Sequence, residues 1–264
     1  TYNVSLKLEK SFNFGLDVMA AYTYGESKSI NSATSSVAYS NWRYNETTGN
    51  SNAPELSVSD YSIPHRIVAS LSYGKEYAKR FKSTVSLVYT GQSGAPYNVT
   101  YYGDLNGDGS NGNDLVFIPT DEQIDAMQFK ATAKLDADQQ KADLKAFLGS
   151  AKYLKDHRGE YYERNSDRMS FEHHFDFRFL QDFKFRVAKE THTLQFSVDI
   201  MNVGNLLNRK WGLESYMSNN SYSPITYSKG GEFQYTQGDK YDPFKEISNI
   251  SSRWRCQLGL RYIF

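Results

Sequence analysis

Apolar and polar side chains alternate along Trp254-Arg255-Cys256-Gln257-Leu258-Gly259-Leu260-Arg261-Tyr262-Ile263-Phe264, and only Ile263 breaks the pattern. Successive side chains of a β-strand point to opposite faces, so one face of this segment is apolar and the other carries arginines. About 9–11 residues of tilted strand cross the hydrocarbon core of a bilayer, whereas strands of soluble proteins most often have about 5–6 residues. The segment therefore predicts a membrane-spanning β-strand.

The same alternation recurs in six segments upstream, and the longest of the seven predicted strands is 80–101. In chain order, the seven predicted strands cover about residues 2–9, 12–25, 62–75, 80–101, 171–188, 191–205 and 253–264. Aromatic residues gather near the strand ends, as is typical of the girdles at the two membrane interfaces. Because backbone groups in lipid must all be paired, such a sheet has to close. We therefore predict an all-β fold, a transmembrane antiparallel β-barrel.

The connections between the predicted strands alternate between short and long ones. Short connections lie around Lys10–Ser11, 76–80 and 189–191, and long ones cover about 26–60, 103–170 and 206–250. Outer-membrane barrels have short periplasmic turns and long extracellular loops, so the long connections are predicted to be outer loops.

One short helix is predicted in the second long loop, from Asp136 to Gly149. Asp136 and Gln139 have the spacing of a capping box, and Gly149 can end the helix. The apolar residues that share one face of this helix are Leu144, Phe147 and Leu148. This amphipathic segment indicates either a loop that folds back on the barrel rim or a helix that binds a partner.

Seven strands is an odd number, whereas bacterial single-chain barrels have even numbers. The pattern therefore predicts that the chain supplies the C-terminal strands of a larger barrel, with its N-terminus a cut edge. A strand hidden inside one of the long loops is the alternative.

Composition excludes some classes of protein. Lys and Arg number 30, Asp and Glu also number 30, and aromatic residues make up 15% of the 264 residues. A neutral balance gives no sign of nucleic-acid binding. The mean hydropathy is negative, but barrel strands average out as polar because they alternate between lipid and lumen. The lone Cys256 excludes an internal disulfide framework.

The sequence lacks the short motifs that are typical of common enzyme active sites. The sequence contains no G-x-S-x-G, no P-loop, no H-E-x-x-H and no paired-cysteine zinc spacing. His173 and His174 are adjacent, so they point to opposite faces of a strand and do not form a two-ligand metal site. We therefore predict that the protein is not an enzyme.

Several segments resemble the C-terminal barrel half of TonB-dependent outer-membrane receptors, in particular the Oar-like branch. They are Gly103-Asp104-Leu105-Asn106-Gly107-Asp108-Gly109, Asn113-Asp114-Leu115-Val116-Phe117-Ile118-Pro119, His157-Arg158-Gly159, Glu163-Arg164-Asn165, Phe177-Arg178-Phe179-Leu180-Gln181-Asp182-Phe183 and Asp199-Ile200-Met201-Asn202-Val203-Gly204-Asn205-Leu206-Leu207-Asn208. The last of these, from Asn202 to Asn208, is the most specific. The terminal strand, through Tyr262 and Phe264, also resembles the signal that the barrel-assembly machinery recognises.

This resemblance implies energised uptake of a nutrient across the bacterial outer membrane. In that family about 22 strands surround a plug, and TonB acts through a plug region that is absent from this chain. The implied partners are outer-membrane lipid, the barrel-assembly machinery, TonB and an unknown nutrient, with or without a surface lipoprotein. The alternatives are a passive pore or a structural or adhesive barrel, and an outer-membrane enzyme with its site among loop carboxylates.

Three groups of residues are candidate sites. Asp104, Asn106 and Asp108 precede Gly109 with the alternate oxygens of an EF-hand-type loop, and Asp114 adds a further oxygen, so calcium is the cofactor that the sequence suggests. A polar Gly/Asp turn is the alternative.

The loop aromatics that are candidates for ligand contact are Trp42, Tyr44, Tyr216, Tyr222 and Tyr227. The charged residues predicted to face the lumen are Glu172, His174, Asp176, Arg178, Asp182, Arg186, Asp199, Arg255 and Arg261, and opposite charges on neighbouring strands are expected to pair.

Overall fold

The computed structural model describes residues 1–217, 220–228, 230–235, 245–247, 250 and 252–264. In chain order, its elements are β1 (Tyr2–Ser11), β2 (Leu16–Glu26), β3 (Lys28–Ser29), α1 (Ala38–Arg43), β4 (Ser57–Val58), β5 (His65–Tyr77), β6 (Phe81–Gln92), β7 (Pro96–Tyr102), α2 (Asp121–Ala126), α3 (Ala137–Ser150), α4 (Lys152–Asp156), β8 (Asp167–Arg168), β9 (Glu172–Val187), β10 (Glu190–Met201), α5 (Val203–Leu207), β11 (Glu214–Tyr216), β12 (Ser221–Tyr227), β13 (Phe233–Tyr235), β14 (Lys245–Ile247) and β15 (Arg255–Ile263). None of the described helices is long and apolar enough to cross a membrane.

Seven long strands form one antiparallel sheet in the order β1-β2-β5-β6-β9-β10-β15. Each strand pairs with the long strand before it in the chain, so all short turns lie at one end of the sheet and all long loops at the other. We call the long connections loop one (residues 27–64), loop two (93–171) and loop three (202–254).

Both faces of this sheet are open. Among the described residues of its seven strands, only Gly25 and Gly91 are buried. Large apolar side chains stand exposed on one face, with Val4 at 65% and Leu260 at 72% exposure. A soluble sheet buries its apolar face against a second layer, so this surface is suited to lipid.

Tyrosine–histidine pairs lie near both ends of the sheet. The Tyr22 hydroxyl lies 2.7 Å from His65 Nδ1 near the long-loop end, and Tyr262 pairs with His192 in the same way, at 2.6 Å, near the short-turn end. Rings with polar tips suit the two membrane interfaces, where one side of the residue is apolar and the other is wet.

The first short turn lies further along the chain than predicted. Lys10 and Ser11 belong to β1, and the turn is Phe12–Gly15. The Phe12 amide donates to the Leu16 carbonyl at 2.8 Å, and Gly15 has a φ of +94° that favours glycine. Phe12 and Phe14, which the alternation placed in the second strand, are therefore turn residues.

The predicted strand 80–101 is wrong in one respect, because two strands occupy it. β6 ends at Gln92, and β7 leaves the seven-stranded sheet to pair with β12 and β8. The break follows from Gly94, where an added Cβ would lie 2.5 Å from the Ser170 carbonyl oxygen. Only glycine allows the backbone to approach this closely.

Two further predictions need correction. The predicted strand 191–205 ends at Met201, because Asn202 adopts a left-handed conformation with φ of 52° and α5 follows. The single predicted loop helix is confirmed as α3, whose N-cap Asp136 accepts from the Gln139 amide at 2.8 Å, but the described residues also contain four shorter helices.

The hydrophobic core lies in the loops rather than in the seven-stranded sheet. Loops two and three contribute to a four-stranded sheet of order β13-β12-β7-β8, in which β12 runs parallel to β7. Within the described ranges, the buried apolar residues of this core are Tyr97, Val99, Tyr101, Leu115, Val116, Ile118, Ile124, Leu144, Leu148, Leu154, Tyr162, Met169, Met217, Tyr222, Ile225 and Tyr235. We call the described parts of the three loops the loop assembly.

Candidate functional site

Helix α3 packs into the loop assembly. Leu144 and Leu148 are fully buried, and Phe147 contacts Tyr222 edge-on with ring centroids 5.4 Å apart. Buried Gln140 accepts a hydrogen bond from the Tyr235 amide at 2.9 Å and donates to the Lys130 carbonyl at 2.8 Å. The apolar face of this helix is therefore used within its own chain.

Arg164 joins loop two to loop one. This buried side chain donates from Nη1 to the Ile30 carbonyl at 2.8 Å and to Asn45 Oδ1, and from Nη2 to the Ser29 carbonyl. A guanidinium presents several donors in a fixed fork, so one arginine can hold two backbone carbonyls and an amide together. These hydrogen bonds connect the two loops through residues that are more than a hundred positions apart in the sequence.

Asn165 adds a second tie beside Arg164. Its backbone is left-handed with φ of 61°, and its amide donates to Asn98 Oδ1 at 2.6 Å. Its side chain donates to the Val58 carbonyl at 2.8 Å and to Asp60 at 2.6 Å. Arg164 and Asn165 together connect loop one, β7 and the end of loop two, and we call them the Arg164–Asn165 clamp.

A polar cavity of about 370 Å³ lies beside this clamp, between loops one and two. Its lining includes Glu46, Glu163, Arg164 and the aromatic rings of Tyr161 and Tyr162. Burial raises the pKa of Glu46 to about 7, and the nearby Asp60 carboxylate acts in the same direction. A backbone hydrogen bond at Glu46 itself lowers the pKa, and the Arg164 charge and a hydrogen bond involving Asn98 lower it further by smaller amounts.

The raised pKa makes closure of loop one pH-dependent. The folded state holds the Glu46 proton up to about pH 7, whereas an unfolded loop releases it near 4.5. The free energy that favours the closed form of loop one therefore falls by about 3 kcal/mol as pH rises from about 4.5 to about 7. Above that range it is constant, because Glu46 is then ionised in both forms. We expect E46Q to remove this slope, measured by amide hydrogen exchange of loop one at several pH values.

The exposed, cavity-lining Glu55 provides the matched control for that experiment. E55Q should leave the slope unchanged, because an exposed carboxylate loses little solvation when the loop closes. A slope that survives in E46Q would assign the pH dependence to another group.

Asn202 and Asn205 organise the start of loop three. The Asn202 amide donates to Asp176 Oδ1 at 2.8 Å, and its side chain donates to the Gly212 and Ser252 carbonyls at 2.8 and 3.1 Å. Asn205 donates to the Arg209 and Trp211 carbonyls. The segment Asn202–Asn208, the most specific part of the resemblance, therefore forms a hydrogen-bonded network where the chain passes from the end of β10 into loop three.

The Asp104–Asp114 loop is packed against loop one. Asp108 accepts hydrogen bonds from Ser51, from the Ser110 amide at 2.7 Å and from Asn113 at 2.8 Å. Burial raises the pKa of Asp108, but these hydrogen bonds outweigh it and leave the pKa lowered. This carboxylate is held in its charged form by donors of the protein itself.

The pKa of Asp114 is shifted in the opposite direction from that of Asp108, because it is raised. Burial raises its pKa, and the charges of Asp108 and Asp104 add to this effect against the hydrogen bonds that it accepts from the Leu105 and Asn106 amides. Within the described part of the chain, no three His, Cys, Asp or Glu side chains form a group that could hold a metal ion. Any cation site here would have to combine carboxylates with amide or backbone oxygens.

The predicted aromatic contacts are spread over the loop assembly rather than gathered in one pocket. Tyr44 and Tyr216 are exposed, and Trp42 donates from Nε1 to Asn52 at 3.0 Å. Tyr227 packs on Phe233 with ring centroids 5.5 Å apart. Tyr222 is only 7% exposed and belongs to the core, so it is withdrawn as a ligand contact. Residues 236–244 of the third loop lie outside the described residues.

The predicted pairing of lumen charges is confirmed at one position. Arg178 and Asp199 are register partners on β9 and β10, and their side chains form an ion pair. Asp182 accepts from Gln195 at 2.8 Å across the same two strands. These contacts favour a structural role for the polar wall, which also lines a cavity of about 540 Å³.

Sequence reasoning did not assign roles to the residues that hold the loops together. Arg164, Asn165 and Asn202 stood within the quoted segments, but Glu46 and Asn98 had no signal of their own. A buried polar network of this kind is formed by contacts distant in sequence, and no spacing rule reveals them.

Comparison with known proteins agrees with this architecture. Residues 2–236 match a family described as "Outer membrane beta barrel domain". No curated protein and no solved structure matches the chain significantly. The matched range includes six of the seven long strands and most of the loop assembly, and it places the protein as an integral component of the outer membrane. The chain belongs to the outer membrane beta barrel domain family.

Proposed function

We propose that this chain is the barrel portion of a TonB-dependent outer-membrane transporter or receptor that takes up a nutrient with an input of energy. The observation that carries the proposal is the folded loop assembly, with its own hydrophobic core, at the long-loop end of the sheet. These residues then supply lumen wall and ligand-facing loops, and the chain performs no catalysis of its own.

A preorganised surface supports capture of a scarce ligand. The Arg164–Asn165 clamp and the loop core fix the positions of exposed aromatics such as Tyr44 and Tyr161 before any ligand arrives. Binding then avoids the cost of ordering the loops, which raises affinity mainly by slowing dissociation. Release of a tightly bound ligand into the periplasm then needs an input of energy, which TonB coupling would provide.

Growth competition in the native bacterium tests the proposal. A strain lacking the gene is compared with its parent on a panel of limiting nutrients: ferric siderophores, cobalamin, oligosaccharides and peptides. We expect at least one nutrient to require both this protein and TonB, with growth lost in either deletion. Growth that requires the protein but persists without TonB, or no requirement on any nutrient, would overturn it.

Liposome swelling separates the proposal from a passive pore. The full-length protein, with the plug that the proposal requires, is purified from native outer membranes and reconstituted, and swelling is followed in small sugars of increasing size. We expect no swelling above the protein-free control, because the plug keeps the lumen of an energised transporter closed between cycles. Swelling with a sharp size limit would instead support the passive pore.

A further inference from the structure

Three buried oxygens in the Asp104–Asp114 loop accept no hydrogen bond. They are Asp104 Oδ1, Asn113 Oδ1 and Asp114 Oδ1. Asn113 is 2% exposed and Asp114 is 3% exposed, so solvent does not take the place of the missing donors. A buried acceptor without a partner costs about 1–3 kcal/mol, and more when it is charged, and native proteins keep few of them.

In both Asp104 and Asp114, one carboxylate oxygen accepts a hydrogen bond and the other accepts none. Asp114 Oδ2 accepts from the Leu105 amide at 2.8 Å, and Asp104 Oδ2 accepts from the Gly109 amide at 3.1 Å. Each carboxylate is thus fixed to the loop backbone by one oxygen, while the other stays unpaired. Asp108 differs, because both of its oxygens accept from protein donors.

We propose that this loop binds a calcium ion, with Asp104, Asn113 and Asp114 as side-chain ligands. Calcium takes six to eight oxygens from carboxylates, amide carbonyls, backbone carbonyls and water, and this mixed donor set fits that chemistry. Histidine and cysteine, the ligands that transition metals prefer, are absent from positions 103–119. The ligand set differs from the one predicted from the sequence, since hydrogen bonds occupy Asp108 and Asn106, and Asn113 takes part instead.

A calcium ion here would stabilise the contact between loops one and two. The Thr47 amide donates to the Asn113 carbonyl at 2.9 Å, and the Leu115 amide donates to the Thr47 carbonyl at 2.9 Å. Asn106 donates from its side chain to the Gly49 carbonyl at 2.9 Å. The segment 47–51 therefore rests directly on the proposed ligand loop, and metal binding would order both.

Titration of the purified full chain in detergent tests the site. Residual metal is first removed with EGTA, and calcium chloride is then added in a calorimeter. We expect one site with Kd of about 10⁻⁴–10⁻³ M, the range of extracellular modules, and weaker binding of magnesium. Hydrogen exchange should slow on calcium addition in residues 45–51 and 103–115, and this readout needs no variant.

Paired variants separate the site from surface binding. D104N/D114N should abolish the calorimetric signal and the slowed exchange. D138N/D156N removes two exposed carboxylates from α3 and α4 and should leave both unchanged. Absence of binding by the unmodified chain up to about 10 mM calcium, well above that Kd range, would overturn the proposal. Binding that persists in D104N/D114N, or equal affinity for magnesium, would do the same.

Discussion

Replacing Arg164 with alanine should release loop one from loop two. The variant removes the donors to Ile30, Asn45 and Ser29, and it takes from the half-buried Glu46 the positive charge that favours its ionised form. Removing one member of a buried, hydrogen-bonded charge network costs about 3–5 kcal/mol. Amide hydrogen exchange of residues 28–30 and 45–60 should therefore accelerate by about two to three and a half orders of magnitude, since about 1.4 kcal/mol corresponds to a factor of ten.

Two further variants control this experiment. R209A removes an arginine that is exposed in loop three, and it should change exchange in loop one by less than a factor of three, as about 0.5 kcal/mol or less is usual for surface substitutions. R164K keeps the charge but loses the planar fork, so it should lie between the unmodified chain and R164A. Equal exchange in R164A and R209A would show that the clamp does not hold the loops.

The seven long strands could be predicted because each strand face meets a different solvent. Lipid on one side and a polar lumen on the other impose a period of two that survives in Trp254–Phe264 and in 171–188. The break at Gly94 could not be predicted in this way. β7 continues the alternation of β6, and only the close approach of Ser170 shows that the chain has left the sheet.

The contacts that hold the loop assembly together could not be predicted from the sequence. These contacts join residues that are distant in the chain, such as Asn98 with Asn165 and Arg164 with Ser29. Local propensity does predict α3, because an N-cap and an apolar face are both local features. That this face packs against β12 and β13, rather than against a partner, depends on chain segments about 75 to 90 residues further on.

Replacing Leu144 with alanine should unfold the loop assembly and leave the seven-stranded sheet intact. Leu144 is fully buried in the loop core, and Leu-to-Ala substitutions at such sites cost about 2–5 kcal/mol through lost burial and the cavity left behind. Among the residues that the structure describes, no strand of the seven-stranded sheet contributes to this core. Proteolysis and hydrogen exchange should therefore show opening of α2, α3, α4, β12 and β13, while heat modifiability in gel electrophoresis reports a folded barrel.

Leu207 offers the matched substitution, because it is 75% exposed in the same loop assembly. L207A should alter local opening by no more than about 0.5 kcal/mol. A selective effect of L144A would establish that the loops form a cooperative unit of their own, as local unfolding units in other proteins do. Simultaneous loss of protection in β6, β9 and β10 would contradict this, because it would mean that core packing in the loops also holds the membrane-spanning sheet together.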